Sequence, residues 1–191
     1  MSLPSILRQI IAVWIGGYTL VSPWALAQTS QNPAALVPQA HIRVYFTPGD
    51  SAEAAIVEQL LGAKDSILVQ AYSFTNPAIA AALVGAQQRG VRVVVLLDKS
   101  QRSQRSSAAD FTSQSGVETL IDDRHAIAHN KIMIIDGQVV ITGSYNFTRA
   151  AEKSNAENMV IIESPAIAAK YLQNWQKHRN HSLTYRQKPE Q

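Results

Sequence analysis

From His41 onward the chain alternates between two hydrophobic periods. Short apolar runs with strand character occupy residues 42–46, 66–73 (SILVQAYS), 91–97 (VRVVVLL), 117–121, 129–135, 138–142 and 159–162. Helical spacing fills residues 52–61, 77–89 and 165–177, and a short helix is predicted in the polar stretch near 107–115. Pro48-Gly49-Asp50-Ser51 reads as a turn ending in a helix cap. Asn76 caps the next helix with Pro77 at its first position, and Gly90 stops it. The run 91–97 is almost wholly apolar, as expected of a central strand covered on both faces. Strand and helix alternate early in the chain, which predicts an α/β fold: a mixed β-sheet sandwiched by helices on both faces. There is no internal repeat.

The first 27 residues break this pattern. Arg8 is their one charged side chain, a mostly apolar run covers residues 10–21, and Ser22-Pro23 and Ala25-Leu26-Ala27 follow. That is the layout of a secretory signal, cut after Ala27. An uncleaved membrane anchor is the alternative, and the run is short for a span. Either way a periplasmic or secreted location is expected, and membrane contact is not expected once the leader is cut. Residues 28–40 read as a polar linker, 41–180 as one domain and 181–191 as a basic tail. There are no cysteines, so a disulfide framework, a thiolate metal site and a cysteine nucleophile are excluded. Without Arg8 the formal charge drops from +3 to +2. Binding to a polyanion would therefore need local clustering of charge.

The densest chemistry lies in residues 129–146, HNKIMIIDGQVVITGSYN. Asp136-Gly137 between apolar strands signals a hairpin. A two-residue turn would pair Ile135 with Gln138, Lys131 with Thr142 and His129 with Ser144. His129, Lys131, Ser144 and Asn146 would then share one face, with Ile132, Ile134, Val139 and Ile141 on the other. An imidazole can attack phosphorus or protonate a leaving oxygen. A lysine and an asparagine amide can hold phosphate oxygens in the transition state. No acidic cluster accompanies them, so the pattern suggests phosphodiester cleavage with no metal and no cofactor.

His129-x-Lys131-x4-Asp136-x6-Gly143-Ser144-x-Asn146 resembles, without a departure, the HKD signature of the phospholipase D superfamily. QAYSFTN at 70–76 and NAEN at 155–158 are similar to its small bacterial branch of EDTA-resistant endonucleases. The resemblance spans roughly residues 40–180 and implies the phospholipase D/nuclease-like fold. It implies His129 as the nucleophile of a phosphohistidine intermediate. It further implies Lys131 and Asn146 as phosphate ligands, Ser144 in support, and Glu157 as the acid that orients the histidine. Asp136 and Gly143 are expected to be structural. A double displacement needs two histidines, and this chain holds one motif. The expectation is therefore a homodimer with the active site on the two-fold axis.

The substrate reading at this point is non-specific cleavage of DNA, with RNA also open. Lys99, Arg102 and Arg105 lie in a stretch free of acids, and Lys170, Lys177, Arg179, Arg186 and Lys188 crowd the C-terminal region with His178 and His181. Such residues either track a phosphate backbone or are ordinary solvated surface. Two alternatives remain: hydrolysis of phospholipid head groups by the same chemistry, and a non-catalytic nucleic-acid-binding accessory of a DNA-transfer system.

Overall fold

The computed structural model describes residues 40–185. The leader, nearly all of the linker, and Arg186 and Lys188 lie outside these residues. Among the described residues, eight strands form one sheet in the order β1-β7-β6-β5-β2-β3-β4-β8. They are β1 (His41–Thr47), β2 (Ser66–Ala71), β3 (Arg92–Asp98), β4 (Glu118–Asp122), β5 (Lys131–Ile135), β6 (Val139–Gly143), β7 (Glu157–Glu163) and β8 (Leu183–Thr184). β2, β3 and β4 run parallel, and the remaining pairings are antiparallel. The helix α1 (Ala52–Gly62) leads from β1 into β2, α2 (Pro77–Gln88) joins β2 to β3, and α3 (Ala109–Gln114) lies between β3 and β4. Two more helices follow: α4 (Arg149–Lys153) and α5 (Pro165–His181).

Side-chain alternation along the strands divides the core in two. Val69, Val95, Met133, Ile141 and Ile161 face α1 to α4, while Leu68, Val94, Leu96, Ile134 and Val140 face α5. Both faces are covered, as the apolar run in β3 implies. Trp175 anchors α5 to its face, donating its Nε1–H to the Val69 carbonyl at 3.0 Å. Asn76 caps α2 as expected, with Oδ1 accepting from Ala78 and Ile79 N–H at 2.9 and 3.2 Å. Ser51 sits at the N-cap of α1 but makes no side-chain cap bond. Instead the preceding Asp50 accepts from Phe46 N–H at 2.8 Å. The C-terminal segment is more ordered than its sequence suggests: α5 runs on to His181, and β8 then pairs with β4.

The expected hairpin forms in a different register. Asp136 and Gly137 both take positive φ, 51° and 63°, and Gln138 N–H closes the turn on the Ile135 carbonyl at 2.9 Å. Gln138 then stays out of the β5–β6 ladder, because its carbonyl accepts from Ser164 N–H at 2.8 Å. Ile135 pairs with Val139 and Ile132 with Thr142. Val139 and Ile141 consequently share a face with Met133 and Ile135, and not with Ile132 and Ile134.

Candidate active site

Lys131 opens β5 beside Ala71 of β2 and is buried, on the α1–α4 side of the sheet. Its Nζ donates to the His129 carbonyl at 2.8 Å. Burial lowers its pKa, and the charge of Glu157 partly opposes that shift. His129 lies just ahead of the strand with its side chain exposed. Its ring packs on Tyr72 at 4.6 Å between centroids, and the Lys131 ammonium sits 5.2 Å from the same Tyr72 ring, within reach of a cation–π attraction.

β6 ends at Gly143, where the chain must pass close to β7. Gly143 has φ 148°, and a Cβ there would overlap the Asn158 carbonyl. That same carbonyl accepts from both Ser144 N–H and Tyr145 N–H, at 3.0 and 3.2 Å. Two residues opposing one is a β-bulge, a device that re-aims the side chains beyond it. Tyr145 turns into the core, while Ser144 and Asn146 reach the pocket.

The result is an open pocket of about 480 Å³ lined by His129, Lys131, Gly143, Ser144, Asn146 and Glu157. The expected set converges although the register that was to bring it together is wrong. The bulge and the irregular backbone before β5 do the work instead. Ser144 Oγ donates to Glu157 Oε2 at 2.6 Å and accepts from Asn158 N–H at 3.0 Å. Asn155 Nδ2 holds the other Glu157 oxygen at 3.0 Å. Glu157 therefore positions Ser144, and it lines the same pocket as His129 without a hydrogen bond to its ring in this structure. The Asn146 amide oxygen is buried with no hydrogen-bond partner among the described residues. The atom that can donate to a phosphate oxygen is Nδ2, and the Asn146 side chain makes no hydrogen bond among the described residues while lining the pocket.

Asp136 stands at the far end of the hairpin and is structural in its contacts. Its carboxylate accepts from Lys64, Asp65 and Ser66 N–H at 3.0, 2.8 and 2.8 Å, tying the β5–β6 turn to the entry of β2. Burial pushes its pKa up, but these three donors bring it below the usual carboxylate value. Lys99, Arg102 and Arg105 do not line the pocket. Lys99 Nζ is bound to the His125 carbonyl at 3.0 Å. Their neighbours Gln104 and Ser106 instead border an adjoining groove of about 650 Å³, together with Tyr72, Thr148 and Arg149. Asn146 lines both hollows. Tyr72 and Arg149 carry no role in the sequence reading. Tyr72 sits within the QAYSFTN segment, but nothing in the spacing marks its ring as a platform for His129.

Comparison with known proteins agrees with this geometry. The family described as "Cardiolipin synthase, PLD-like domain" matches residues 56–179. A protein named phospholipase D from Rickettsia typhi is 46% identical over 135 residues, 71% of this chain and 66% of that one. A mitochondrial cardiolipin hydrolase from Xenopus laevis is 34% identical, over 67% of this chain and 61% of its own length. The chain thus spans about two thirds of the length of these relatives. The crystal structure of Nuc from Salmonella typhimurium, a phospholipase D family member, superposes with a TM-score of 0.74 at 38% identity, covering 78% of this chain and 99% of Nuc. A complete HKD signature, with its His129, Lys131, Gly143, Ser144 and Asn146 lining one pocket, and the matching family model and relatives place the chain in the phospholipase D superfamily of phosphodiester hydrolases.

Proposed function

We propose that the protein is a nuclease that cleaves DNA non-specifically, through a site shared between two copies of the chain and without a catalytic metal. The observation that carries the reading is the pocket itself: one exposed imidazole, one buried ammonium, one unused amide and a serine fixed by a glutamate. Its single carboxylate already has both oxygens engaged, a poor donor set for a divalent ion.

In the first step the His129 imidazole nitrogen attacks phosphorus and a P–N bond forms. The bond from phosphorus to the leaving oxygen breaks, and the partner's His129 gives that oxygen its proton. Lys131 and Asn146 hold the non-bridging oxygens as charge builds. In the second step the partner's imidazole takes a proton from water. The water oxygen attacks phosphorus, and the P–N bond breaks.

The dimer rests on two features. The pocket holds half of the acid–base pair this chemistry requires. Beside it, Ile42, Val44 and Phe46 project from one face of edge strand β1 with 53, 51 and 61% of their surface exposed. Phe46 pairs with Asn158 at the end of β7 that carries Glu157, so the strip ends at the pocket's end of the sheet, on the α5 side, whereas Lys131 lies on the other side. A second copy packed around that end of the sheet would cover the strip.

A nucleic-acid substrate suits the groove that runs from the pocket past Tyr72, Gln104, Thr148 and Arg149, which offers a stacking ring, neutral hydrogen-bonding groups and a cation. One observation favours phospholipid instead. An apolar hollow of about 390 Å³ lined by Pro77, Ala80, Ala81, Ala108 and Phe111 adjoins that groove, and relatives are named for lipid hydrolysis. Among the described residues no helix is long and apolar enough to cross a membrane.

The deciding experiment follows the purified chain in excess EDTA with supercoiled plasmid, with vesicles of cardiolipin or phosphatidylcholine, and in a gel shift. Nicking and degradation of plasmid supports the nuclease. Release of lipid products with plasmid left intact replaces it with the phospholipase. A shift without cleavage leaves only binding. The leader expected over residues 1–27 is tested by sequencing the amino terminus of exported protein.

A further inference from the structure

Outside the phosphodiester pocket, three of the chain's five histidines meet one buried carboxylate. Asp122 is the last residue of β4 and its side chain is completely buried. His178 Nδ1 lies 2.8 Å from Asp122 Oδ2, His125 Nδ1 lies 3.0 Å from the same oxygen, and His181 Nε2 lies 3.2 Å from Oδ1. We propose that Asp122, His125, His178 and His181 form a binding site for a first-row divalent transition-metal ion of the zinc type. The ion would staple the end of α5 to the loop that leads into His129.

The donor set is the first argument. Three imidazole nitrogens and one carboxylate oxygen suit zinc and its neighbours, and do not suit magnesium or calcium. Spacing is the second. His178 and His181 stand one turn apart on one face of α5. Asp122 and His125 are brought together by a tight turn in which Arg124 N–H donates to Asp122 Oδ1 at 3.2 Å. Segments distant in sequence thus deliver four ligand atoms that all lie within 4.8 Å of one another. Metal–ligand distances of about 2.0–2.1 Å give a tetrahedral edge of roughly 3.3 Å, so the widest pair needs to close by about 1.5 Å. Side-chain rotation can supply that, because His125 is still 45% exposed.

Charge is the third argument. A fully buried carboxylate needs a compensating partner, and among the described residues no arginine or lysine makes a salt bridge with Asp122. The three rings crowd one another, with centroids 4.8, 5.3 and 5.6 Å apart. Protonating all of them would set like charges side by side. A dication held by neutral imidazoles balances the carboxylate without that repulsion. The sequence reading assigned no metal ligand and counted His178 and His181 with the basic C-terminal region, because the grouping exists only once β4 and α5 have packed.

The position gives the site a consequence. Residues 123–128 connect Asp122 to His129, and two other contacts already hold this loop. Lys99 Nζ binds the His125 carbonyl, and Ala128 N–H donates to Asp98 Oδ2 at 2.7 Å. A bound ion would fix the start of the loop and the end of α5 together. It shares no residue with the pocket around His129.

The test uses the full chain, expressed without a polyhistidine tag, stripped of metal and titrated with Co²⁺ and then Zn²⁺. One equivalent of Co²⁺ should bind with the intense visible absorption of a four-coordinate ion. Zn²⁺ should bleach that absorption and raise the melting temperature. Losing a residue that only supports a ligand costs roughly 10–100-fold in affinity, so His125→Gln and His181→Gln should each cost more than about 100-fold. Both histidines are only partly buried, so these variants stay informative if His178→Gln fails to fold. His41→Gln, far along the sheet on β1, should bind as the parent does. Sub-stoichiometric binding, a weak six-coordinate Co²⁺ spectrum, or unchanged affinity in both variants would overturn the proposal and leave a metal-free hydrogen-bonded network.

Discussion

Replacing Asp136 with asparagine separates architecture from chemistry within the HKD signature. The Asp136 carboxylate receives three backbone N–H groups and reaches no residue of the pocket. Hydrogen bonds to a charged group contribute roughly 1.5–3 kcal/mol each, and less where the donors can turn to water. Two of the donors, on Lys64 and Asp65, are exposed, while the Ser66 N–H is partly buried. Asparagine keeps one acceptor oxygen for Asp65 and Ser66 but turns its amide hydrogens toward the Lys64 N–H. Asp136→Asn should therefore cost about 1.5–3 kcal/mol. Asparagine tolerates the positive φ of 51° at this site and alanine does not, so Asp136→Ala should cost about 1 kcal/mol more.

For a chain of this size each kcal/mol moves the midpoint by about 2–4 °C, so a fall of several degrees is expected, read by circular dichroism and checked by urea unfolding. The pH dependence has a fixed sign. The folded pKa of Asp136 lies below its unfolded value, so its contribution is fully present above the unfolded value of about 3.9 and is lost as pH falls through the folded value. The gap between the parent and Asp136→Asn should hold from pH 7 to about 4 and close below that. Well below the melting point the variant should keep its kcat. Parent-like stability, or lost activity in a variant that melts like the parent, would refute the structural role of Asp136.

Other outcomes follow from the same geometry. Gly143→Ala places a methyl group against the Asn158 carbonyl, and should cost about 1–3 kcal/mol together with most of the activity, since Asn158 holds Ser144. A variant with normal melting and turnover would show that β6 and β7 have room to spare. Phe46→Asp puts a charge in the exposed strip of β1 and should turn a dimer into an inactive, folded monomer by light scattering; a fully active monomer would count against the shared site. The proposed double displacement needs one His129 imidazole neutral and the other protonated. The rate should fall at both acid and alkaline extremes, and a flat profile would argue against paired histidines.

The layers of the fold were legible because hydrophobic period and turn chemistry agree along most of the chain. Asn76-Pro77 begins α2, the apolar run in β3 lies mid-sheet, and Asp136-Gly137 makes a tight turn. The register of that hairpin was not legible, because a contact distant in sequence decides it: Ser164 captures Gln138 and delays the start of β6. The bulge on the Asn158 carbonyl is equally hidden, although the glycine that permits it is part of the motif. Glu157 entered through the family resemblance alone; its contacts with Ser144 and Asn155 were not legible, because they form only once β7 lies beside β6. The histidines of α5 looked like tail charge because the helix runs a full turn beyond where its apolar pattern fades.

The central claim is that two copies of His129 serve one phosphodiester site. The most direct test mixes parent and His129→Ala subunits in equal amounts, lets them exchange, and follows nicking of supercoiled plasmid in EDTA. Random pairing leaves about one quarter of the dimers with both imidazoles, so the rate should be about one quarter of that of the same total amount of parent. A rate of about one half would mean that each chain works alone, and cleavage by His129→Ala alone would remove the histidine from the chemistry.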